Sequence, residues 1–245
     1  LGCVYCPLMI ARLTEYAKLE ESKSTVLVAA HAIMGGDDMI SDYSTAVAKG
    51  MGFNTTGIPA LLFNMRSSGE ILSLTSADSP ASVAKRVQSA AQTLLQTNAN
   101  TGICAAVSGT EASGSIKVTA AVKVGKAGKY RICAWVLEDD IHATGQLNNY
   151  PSLEGTYDFT HHSNVLRCIS STSPVTGVNL GGKEECKSGE TLGFSYEFDL
   201  KKLSVVNMAN VRVVIIVTRN ESGARYMVDN VISSKLNSQV KFEYK

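Results

Sequence analysis

The hydrophobic period of the chain changes near residue 98, and this change limits the folds that the sequence can adopt. Before that point, three stretches with apolar residues at helical spacing alternate with strand-like runs. After the linker TNANTG at 97–102, the helical spacing is lost, and short β-rich runs follow one another between turn residues. The sequence therefore predicts two domains, an α/β domain over residues 1–98 and an all-β domain over residues 103–245.

Three helices are predicted in the first half. Pro7 suits a first helical turn, and the apolar residues that follow it lie along one face as far as Leu19. A second, short helix is predicted over 41–49, ahead of two glycines. The third is expected to begin after Ser79 as a cap, with Pro80 in its first turn.

Two strand signals lie between these helices. TVLVAAHAI at 25–33 is almost continuously apolar, which is typical of a strand buried on both faces. ALLF at 60–63 and EILSL at 70–74 predict a hairpin whose turn is formed by residues 66–69. Helices and strands that alternate in this way indicate an α/β domain.

The second half contains seven or eight strand-like runs and no helical period. Such a series favours an antiparallel sandwich. The stretch at 142–162, rich in Asn, Tyr, Gly and His, is predicted to be a long surface loop. A membrane β-barrel is disfavoured by the helical first half and the irregular strand lengths. The runs are ICAAVSG, SIKVTAAVKV, YRICAWVLE, NVLRCIS, LGFSYEFDL, VRVVIIVT, YMVDNVI and QVKFEY.

Composition excludes several classes of function. The net charge is +1 and no long run of like charges occurs, so no nucleic-acid partner is expected. No apolar run approaches the roughly 20 residues of a membrane-spanning helix. With 44% hydrophobic and 18% charged residues the chain can build a core. Nothing indicates a cofactor.

The motif CVYCP at 3–7 permits three interpretations. A zinc site would need a second pair of ligands at suitable spacing, and no second Cys-x-x-Cys occurs. A structural disulfide across two residues would constrain little of the chain. A redox dithiol fits better, because Cys3 at the start of a helix would be favoured as a thiolate and Cys6 lies within reach to resolve a mixed disulfide.

The first half resembles the thioredoxin fold. The helix that opens with Cys-x-x-Cys, a buried strand and then TGIPALLFN carry the resemblance. It implies that Pro59 is the proline, usually cis, that faces the dithiol, that Ile58 presents its backbone to a substrate, and that Gly57 permits the close approach. The chain begins two residues before Cys3, so the central strand that precedes this motif in thioredoxins is expected to be missing.

The second half resembles the twenty-eight-kilodalton outer-membrane protein family of Bacteroidetes-type envelopes. The resemblance rests on LEDDIHATGQ at 137–146 followed by HHSNVLRCIS at 161–170. It implies a thioredoxin-like domain followed by an immunoglobulin-like β-sandwich, and an envelope location that a lipid anchor could provide without a membrane span. The matching residues are Glu138, Asp139, Gln146, His162, Val165, Leu166 and Arg167.

Other residues of the second half are assigned mainly structural roles. Arg167 is expected to pair with Glu138 or Asp139, and Trp135 is expected to anchor the sandwich core. Metal binding by the loop histidines, His142, His161 and His162, with Asp158 or Glu154, is disfavoured because their spacing is not that of ligands on a helix.

The pairing of the other four cysteines is left open. Cys104, Cys133, Cys168 and Cys186 permit three complete pairings, and sequence alone cannot choose among them. A Cys168–Cys186 disulfide is weakly preferred, and four reduced, buried cysteines are the alternative.

The sequence therefore predicts a cell-envelope protein that exchanges disulfides with protein thiols. Cys3 would be the nucleophile and Cys6 the resolving thiol, with Ile58 and Pro59 shaping the substrate groove. The alternative is a non-catalytic surface-binding or adhesion protein with an unidentified envelope partner. Neither interpretation includes a metal.

Overall fold

The computed structural model describes residues 1–32, 37–53, 57–67, 72–205, 207–220 and 225–242. Within these residues, helices are concentrated in the first 100 positions and strands in the remainder. The α-helices are α1 (Cys6–Ala17), α2 (Asp42–Gly50) and α3 (Pro80–Leu95). Short 3-10 helices cover Glu20–Ser24, Pro151–Leu153, Leu180–Gly182, Leu200–Lys202 and Met208–Asn210.

The strands fall into short pairs and two larger sheets. They are β1 (Leu62–Phe63), β2 (Arg66–Ser67), β3 (Thr101–Thr110), β4 (Ser115–Val124), β5 (Lys129–Glu138), β6 (Ile141–His142), β7 (His161–His162), β8 (Val165–Ile169), β9 (Val178–Asn179), β10 (Thr191–Asp199), β11 (Val211–Asn220), β12 (Tyr226–Lys235) and β13 (Ser238–Val240). One sheet has the order β10-β4-β3-β13, and the other has β12-β11-β5-β8, with β9 also paired to β5. All of these pairings are antiparallel.

The main hydrophobic core lies between the two larger sheets. Alternate residues of β3 and β4, such as Ile103 and Val118, are buried against alternate residues of β5 and β11, such as Ile132 and Val213. This alternation follows from the two-residue period of side chains along a strand. The second half is thus a β-sandwich.

A second core covers the outer face of the β12-β11-β5-β8 sheet. Trp135, Leu137 and Ile216 project from that face and cluster with Val47 of α2. Strands β5 and β11 are therefore covered on both faces, which explains their continuous apolar sequences. Trp135 is buried, but it belongs to this outer cluster and not to the core between the sheets, where it was expected.

Local sequence features explain where α2 and α3 begin. Ser41 and Ser44 form a reciprocal capping box at the start of α2, and the Ser79 side chain accepts a hydrogen bond from the Ser82 backbone at the start of α3. Helices α1 and α3 pack together through a cluster that includes Tyr16. The predicted helices are confirmed, with boundaries shifted by one or two residues.

The predicted fold class, a thioredoxin-like α/β domain followed by an immunoglobulin-like sandwich, is wrong. The chain is mainly antiparallel β-sheet with few helices, and its described first half contains no central α/β sheet. Residues 25–32 form no strand: the Ala29 N–H donates to Asn164 at 2.7 Å, and the Leu166 N–H donates to Ala29 at 2.9 Å. The backbone of this segment thus bonds to the edge of β8, where it makes a single parallel bridge.

The predicted hairpin is shorter than expected and turns earlier. Strands β1 and β2 pair directly, with Asn64 and Met65 as the turn at φ values of 47° and 64°. Positive φ at both central residues is the geometry of a tight two-residue turn. Residues 68–71, which include part of the predicted turn and second strand, lie outside the described residues, as does Ile33 of the predicted buried strand.

Candidate functional site

Cys3 and Cys6 form a disulfide at the start of α1. Their Cα atoms are 5.4 Å apart, and the Cys6 N–H donates to the Cys3 carbonyl at 3.3 Å. Cys6 is the first residue of the helix, followed by Pro7. The unpaired backbone N–H groups and the dipole of the helix start would therefore favour a thiolate at Cys6 after reduction.

The two cysteines differ in exposure. Cys3 is only 7% exposed, whereas Cys6 is half-buried and follows Tyr5, which is 52% exposed. The sequence-based expectation places the nucleophile at Cys3. Solvent reaches Cys6 more readily, so burial favours Cys6 as the cysteine that an incoming thiol meets.

A loop of the β-sandwich holds the disulfide ring from its other side. The Gln146 side-chain amide donates to the Cys3 carbonyl at 2.9 Å, and the Asn149 N–H donates to the Val4 carbonyl at 2.9 Å. The rings of Tyr5 and Tyr150 meet edge to face, with centroids 6.4 Å apart. Residues more than 140 positions away thus fix the conformation of the Cys-x-x-Cys segment.

A groove of about 490 Å³ lies beside the disulfide. Tyr5, Ile58, Pro59 and Tyr150 all line it, and the Ile58–Pro59 peptide bond is cis. The groove thus brings together residues 58 and 59, which sequence reasoning selected, and Tyr5, one of the two residues between the cysteines. Cys3 and Cys6 do not line the groove themselves. They lie next to it because Tyr5, which does line it, stands between them in the sequence.

Arg12 also lines this groove and was missed by the sequence analysis. It is 5% exposed, on a face of α1 that also buries Met9 and Tyr16. Burial lowers the pKa of the guanidinium, and nearby Asp78 opposes that shift. The sequence signal was a single charged residue within the apolar stripe of an amphipathic helix.

The other four cysteines are free thiols, so the preferred Cys168–Cys186 disulfide is wrong. Cys133, Cys168 and Cys186 are buried, and Cys104 is half-buried. Burial raises the pKa of Cys133 to about 12 and also raises those of Cys168 and Cys186. Thiols with raised pKa values are poor nucleophiles, which disfavours Cys133, Cys168 and Cys186 for exchange.

The loop histidines make local contacts. His161 Nδ1 lies 2.7 Å from Asp158 Oδ2, and its ring centroid lies 5.1 Å from that of His142. His162 is buried beside His31, with ring centroids 5.8 Å apart. No group of three or more metal-ligating side chains occurs in the part of the chain that the structure describes.

We expect the buried His162 to make stability depend on pH. Burial and then the neighbouring His31 lower the pKa of His162, and Asp37 opposes them. Below about pH 6.5 the unfolded chain therefore binds a proton that the folded chain binds less readily, so the free energy of unfolding falls as pH falls, by at most about 1.4 kcal/mol per pH unit.

Urea unfolding at pH 7.5 and 5.5 measures this effect. His162→Gln should reduce the loss of stability between these pH values, whereas His142→Gln, at an exposed histidine, should leave it unchanged. An equal pH dependence in the wild type and His162→Gln would contradict the prediction.

The residues behind the family resemblance are largely structural. Arg167 pairs with Glu138, as predicted, with Nε 3.2 Å from the carboxylate. Asp139 instead pairs with Arg212, whose guanidinium also donates to the Leu27 carbonyl at 3.2 Å. The hydrogen bond from Arg212 to Leu27 joins the sandwich to the first part of the chain.

Comparisons with known proteins indicate a family and a fold. The sequence profile of the family described as outer membrane protein Omp28 matches residues 46–240. HBP35 of Porphyromonas gingivalis is 18% identical, with a TM-score of 0.66, covering 96% of this chain and 71% of that chain. A domain of the outer membrane lipoprotein Omp28 from the same organism is 21% identical, with a TM-score of 0.35, covering 57% and 89% respectively. No curated protein matches the sequence significantly.

The two matches cover different parts of the chain. The first likeness shows that the fold extends over nearly the whole chain, whereas the family match begins at residue 46 and does not include Cys3 or Cys6. Among the described residues, no helix is long and apolar enough to cross a membrane.

Proposed function

We propose that Cys3 and Cys6 exchange disulfides with other proteins. The premise is that this chain belongs to the outer membrane protein Omp28 family and is a cell-envelope protein. The observation that carries the proposal is a disulfide at a helix start, beside an open groove, with one cysteine half-buried. Helix starts of this kind lower the pKa of a cysteine and increase its thiolate fraction.

The chemistry follows from the order of exposure. A substrate thiolate attacks Sγ of Cys6, the Cys3–Cys6 bond breaks, and the bonding electron pair remains on Sγ of Cys3. A second substrate thiolate then attacks the substrate sulfur of the mixed disulfide and releases Cys6 as a thiolate. Two substrate thiols are oxidised and the cysteine pair is reduced; the reverse sequence reduces a substrate disulfide.

The sandwich loop has a role in this scheme. Because Gln146 and Asn149 hold the backbone at Cys3 and Val4, the reduced Cys3 would remain close to Cys6. Restricting the segment in this way reduces the entropy that must be lost when the ring closes again. Cys3 would then serve as the resolving thiol, the reverse of the order expected from sequence.

Single cysteine variants test both the reaction and the order. We expect the wild type to accelerate the reduction of insulin by dithiothreitol, and the Cys3→Ser/Cys6→Ser double variant to show only the uncatalysed rate. Cys3→Ser should form a mixed disulfide with a peptide disulfide about tenfold faster than Cys6→Ser, because its remaining thiol is the more exposed one.

Cys104→Ser is the matched control, because it removes a half-buried free thiol on β3 and should leave the rate unchanged. Wild-type turnover no greater than that of the double variant would exclude exchange. Faster trapping by Cys6→Ser would restore Cys3 as the attacking residue.

A second candidate function is a non-catalytic envelope or surface-binding role. The observation that favours it is a pair of exposed apolar side chains, Tyr5, which lines the groove, and Leu147, whose backbone N–H donates to the Leu1 carbonyl. In this case the disulfide would only hold the Tyr5 loop in place. Binding of an envelope partner would then require the oxidised ring but would proceed without any exchange of disulfides.

A further inference from the structure

Arg12 is a buried cation without a carboxylate partner. Its two hydrogen bonds in the described structure run from Nη2 to the backbone carbonyls of Thr75, at 2.5 Å, and Asp78, at 3.2 Å. Its Nε is buried and has no hydrogen-bond acceptor among the described residues. Since a buried charge is costly unless it is paired, a side chain in this state suggests that a further anionic group belongs beside it.

Asp78, the acidic residue whose charge acts on Arg12, is already engaged. The Asp78 carboxylate lies 2.6 Å from Nη2 of Arg86 and accepts hydrogen bonds from the backbone and hydroxyl of Thr75. No ion pair to Arg12 within 4.0 Å is found in the described residues. The positive charge of Arg12 is thus only partly compensated within the protein.

The other walls of the groove are mainly apolar. Met9, Phe53, Leu61 and Leu74 line it, together with the ring of Tyr150. These residues come from α1, from segments on either side of residue 57 and from the sandwich loop, so the groove spans several chain segments. A single inorganic anion would leave most of this apolar surface uncovered.

We propose that this groove binds an extended segment of a partner polypeptide that carries an acidic side chain next to an apolar one. The carboxylate pairs with Arg12, and the neighbouring apolar side chain packs against Met9 and Tyr150. Charge complementarity with a buried, unpaired guanidinium selects this occupant, because an Arg–carboxylate pair can form two parallel hydrogen bonds. This binding deepens the proposed function by naming its substrate class. Only the claim that the bound segment is presented to Cys6 rests on the proposed function.

Peptides without cysteine test the groove separately from exchange. The probes are fluorescein-labelled pentapeptides of the form Gly-Φ-Glu-Ser-Gly, in which Φ is Ala, Val, Leu, Phe or Tyr, with Gln counterparts that replace Glu. Fluorescence anisotropy with the full-length oxidised protein should show about tenfold tighter binding of the best Glu peptide than of its Gln counterpart, decreasing as salt is raised.

Variants assign the preference to Arg12. Arg12→Gln should remove the difference between the Glu and Gln peptides, and Arg12→Lys should retain part of it. Lys85→Gln, which removes an exposed cation on α3, is the matched control and should behave as the wild type. If Arg12→Gln does not fold, as judged by near-UV circular dichroism, Tyr150→Ala replaces it and should weaken both peptides while preserving the preference for Glu.

The outcomes separate the two proposals. The Cys3→Ser/Cys6→Ser double variant cannot exchange disulfides, so a Glu preference that persists in it supports the groove even if exchange fails. Equal affinity of the wild type for Glu and Gln peptides, or no binding of any peptide in the set, would overturn the groove proposal. Insulin reduction by the same wild-type protein would still support exchange.

Discussion

Replacing Glu138 by Gln is expected to lower the free energy of unfolding by about 3–5 kcal/mol. Glu138 is fully buried and Arg167 is 4% exposed, with 3.2 Å between the guanidinium Nε and the carboxylate. The carboxylate also accepts a hydrogen bond of 2.6 Å from the Asn207 backbone. The variant removes the negative charge and leaves the Arg167 cation in the interior. Leaving one buried charge unpaired destabilises the fold more than removing both charges.

Urea denaturation followed by far-UV circular dichroism measures this loss. The matched control is Glu197→Gln, because Glu197 and Lys117 form an exposed pair 3.7 Å apart. Exposed pairs contribute little, so this control should change stability by less than about 1 kcal/mol. Similar losses in the two variants would show that the buried pair behaves like a surface pair.

A double replacement tests whether the loss of stability comes from leaving one buried charge unpaired. Glu138→Leu combined with Arg167→Met removes both charges at similar volume and should cost less than either single change. A double variant as unstable as the sum of the two singles would mean that each residue acts through other contacts. Both residues belong to the family resemblance, so this result also decides whether that motif serves the fold.

Trp135→Ala is expected to cost about 3–5 kcal/mol of stability, the second large effect. Trp135 is 2% exposed and packs with Val47 of α2, Leu137 and Ile216. Its loss opens a cavity where the first part of the chain covers the outer face of the sheet. Trp135→Phe should recover part of the loss, because a smaller aromatic ring fills part of the space.

Circular dichroism again follows unfolding, because the variant removes the single tryptophan of the chain. The control is Tyr196→Ala on β10, a partly exposed aromatic that contacts Phe198 at a centroid distance of 4.8 Å and should cost about 1 kcal/mol. If Trp135→Ala cost no more than Tyr196→Ala, the outer face of the sheet would not be closely packed against α2. A red-shifted emission of the wild-type tryptophan would point the same way.

Local sequence patterns predicted much of the second half and the helices of the first. The runs around β3, β4, β5 and β11 were recognisable because side chains alternate along a strand or because both faces are covered. The cap at Ser79 and the proline after it located α3 for similarly local reasons. Such signals depend on neighbours within a few positions, so they survive without knowledge of the fold.

The failed prediction of a thioredoxin-like domain shows where local patterns stop. TVLVAAHAI has the composition of a buried strand, but residues 25–32 lie against β8 and make only one bridge there. Apolar composition predicted a strand buried on both faces, but residues 25–29 are only half-buried and Ala30 is exposed. The backbone at Ala29 bonds to residues more than 130 positions away, and strand assignment from sequence takes no account of such partners.

The sequence by itself determined the helices, the strand-rich second half and the presence of the Cys-x-x-Cys pair, whereas the role of Pro59 in a substrate groove stays a prediction. Tertiary structure alone decided that Cys6 is more exposed than Cys3, that Gln146 holds the disulfide segment, and that the Arg12 side chain lines a groove. The physical reason is distance along the chain: helix formation and the alternation of side chains along a strand depend on neighbouring residues, whereas strand pairing, the exposure of a side chain and the partner of a charge depend on which remote segments pack together.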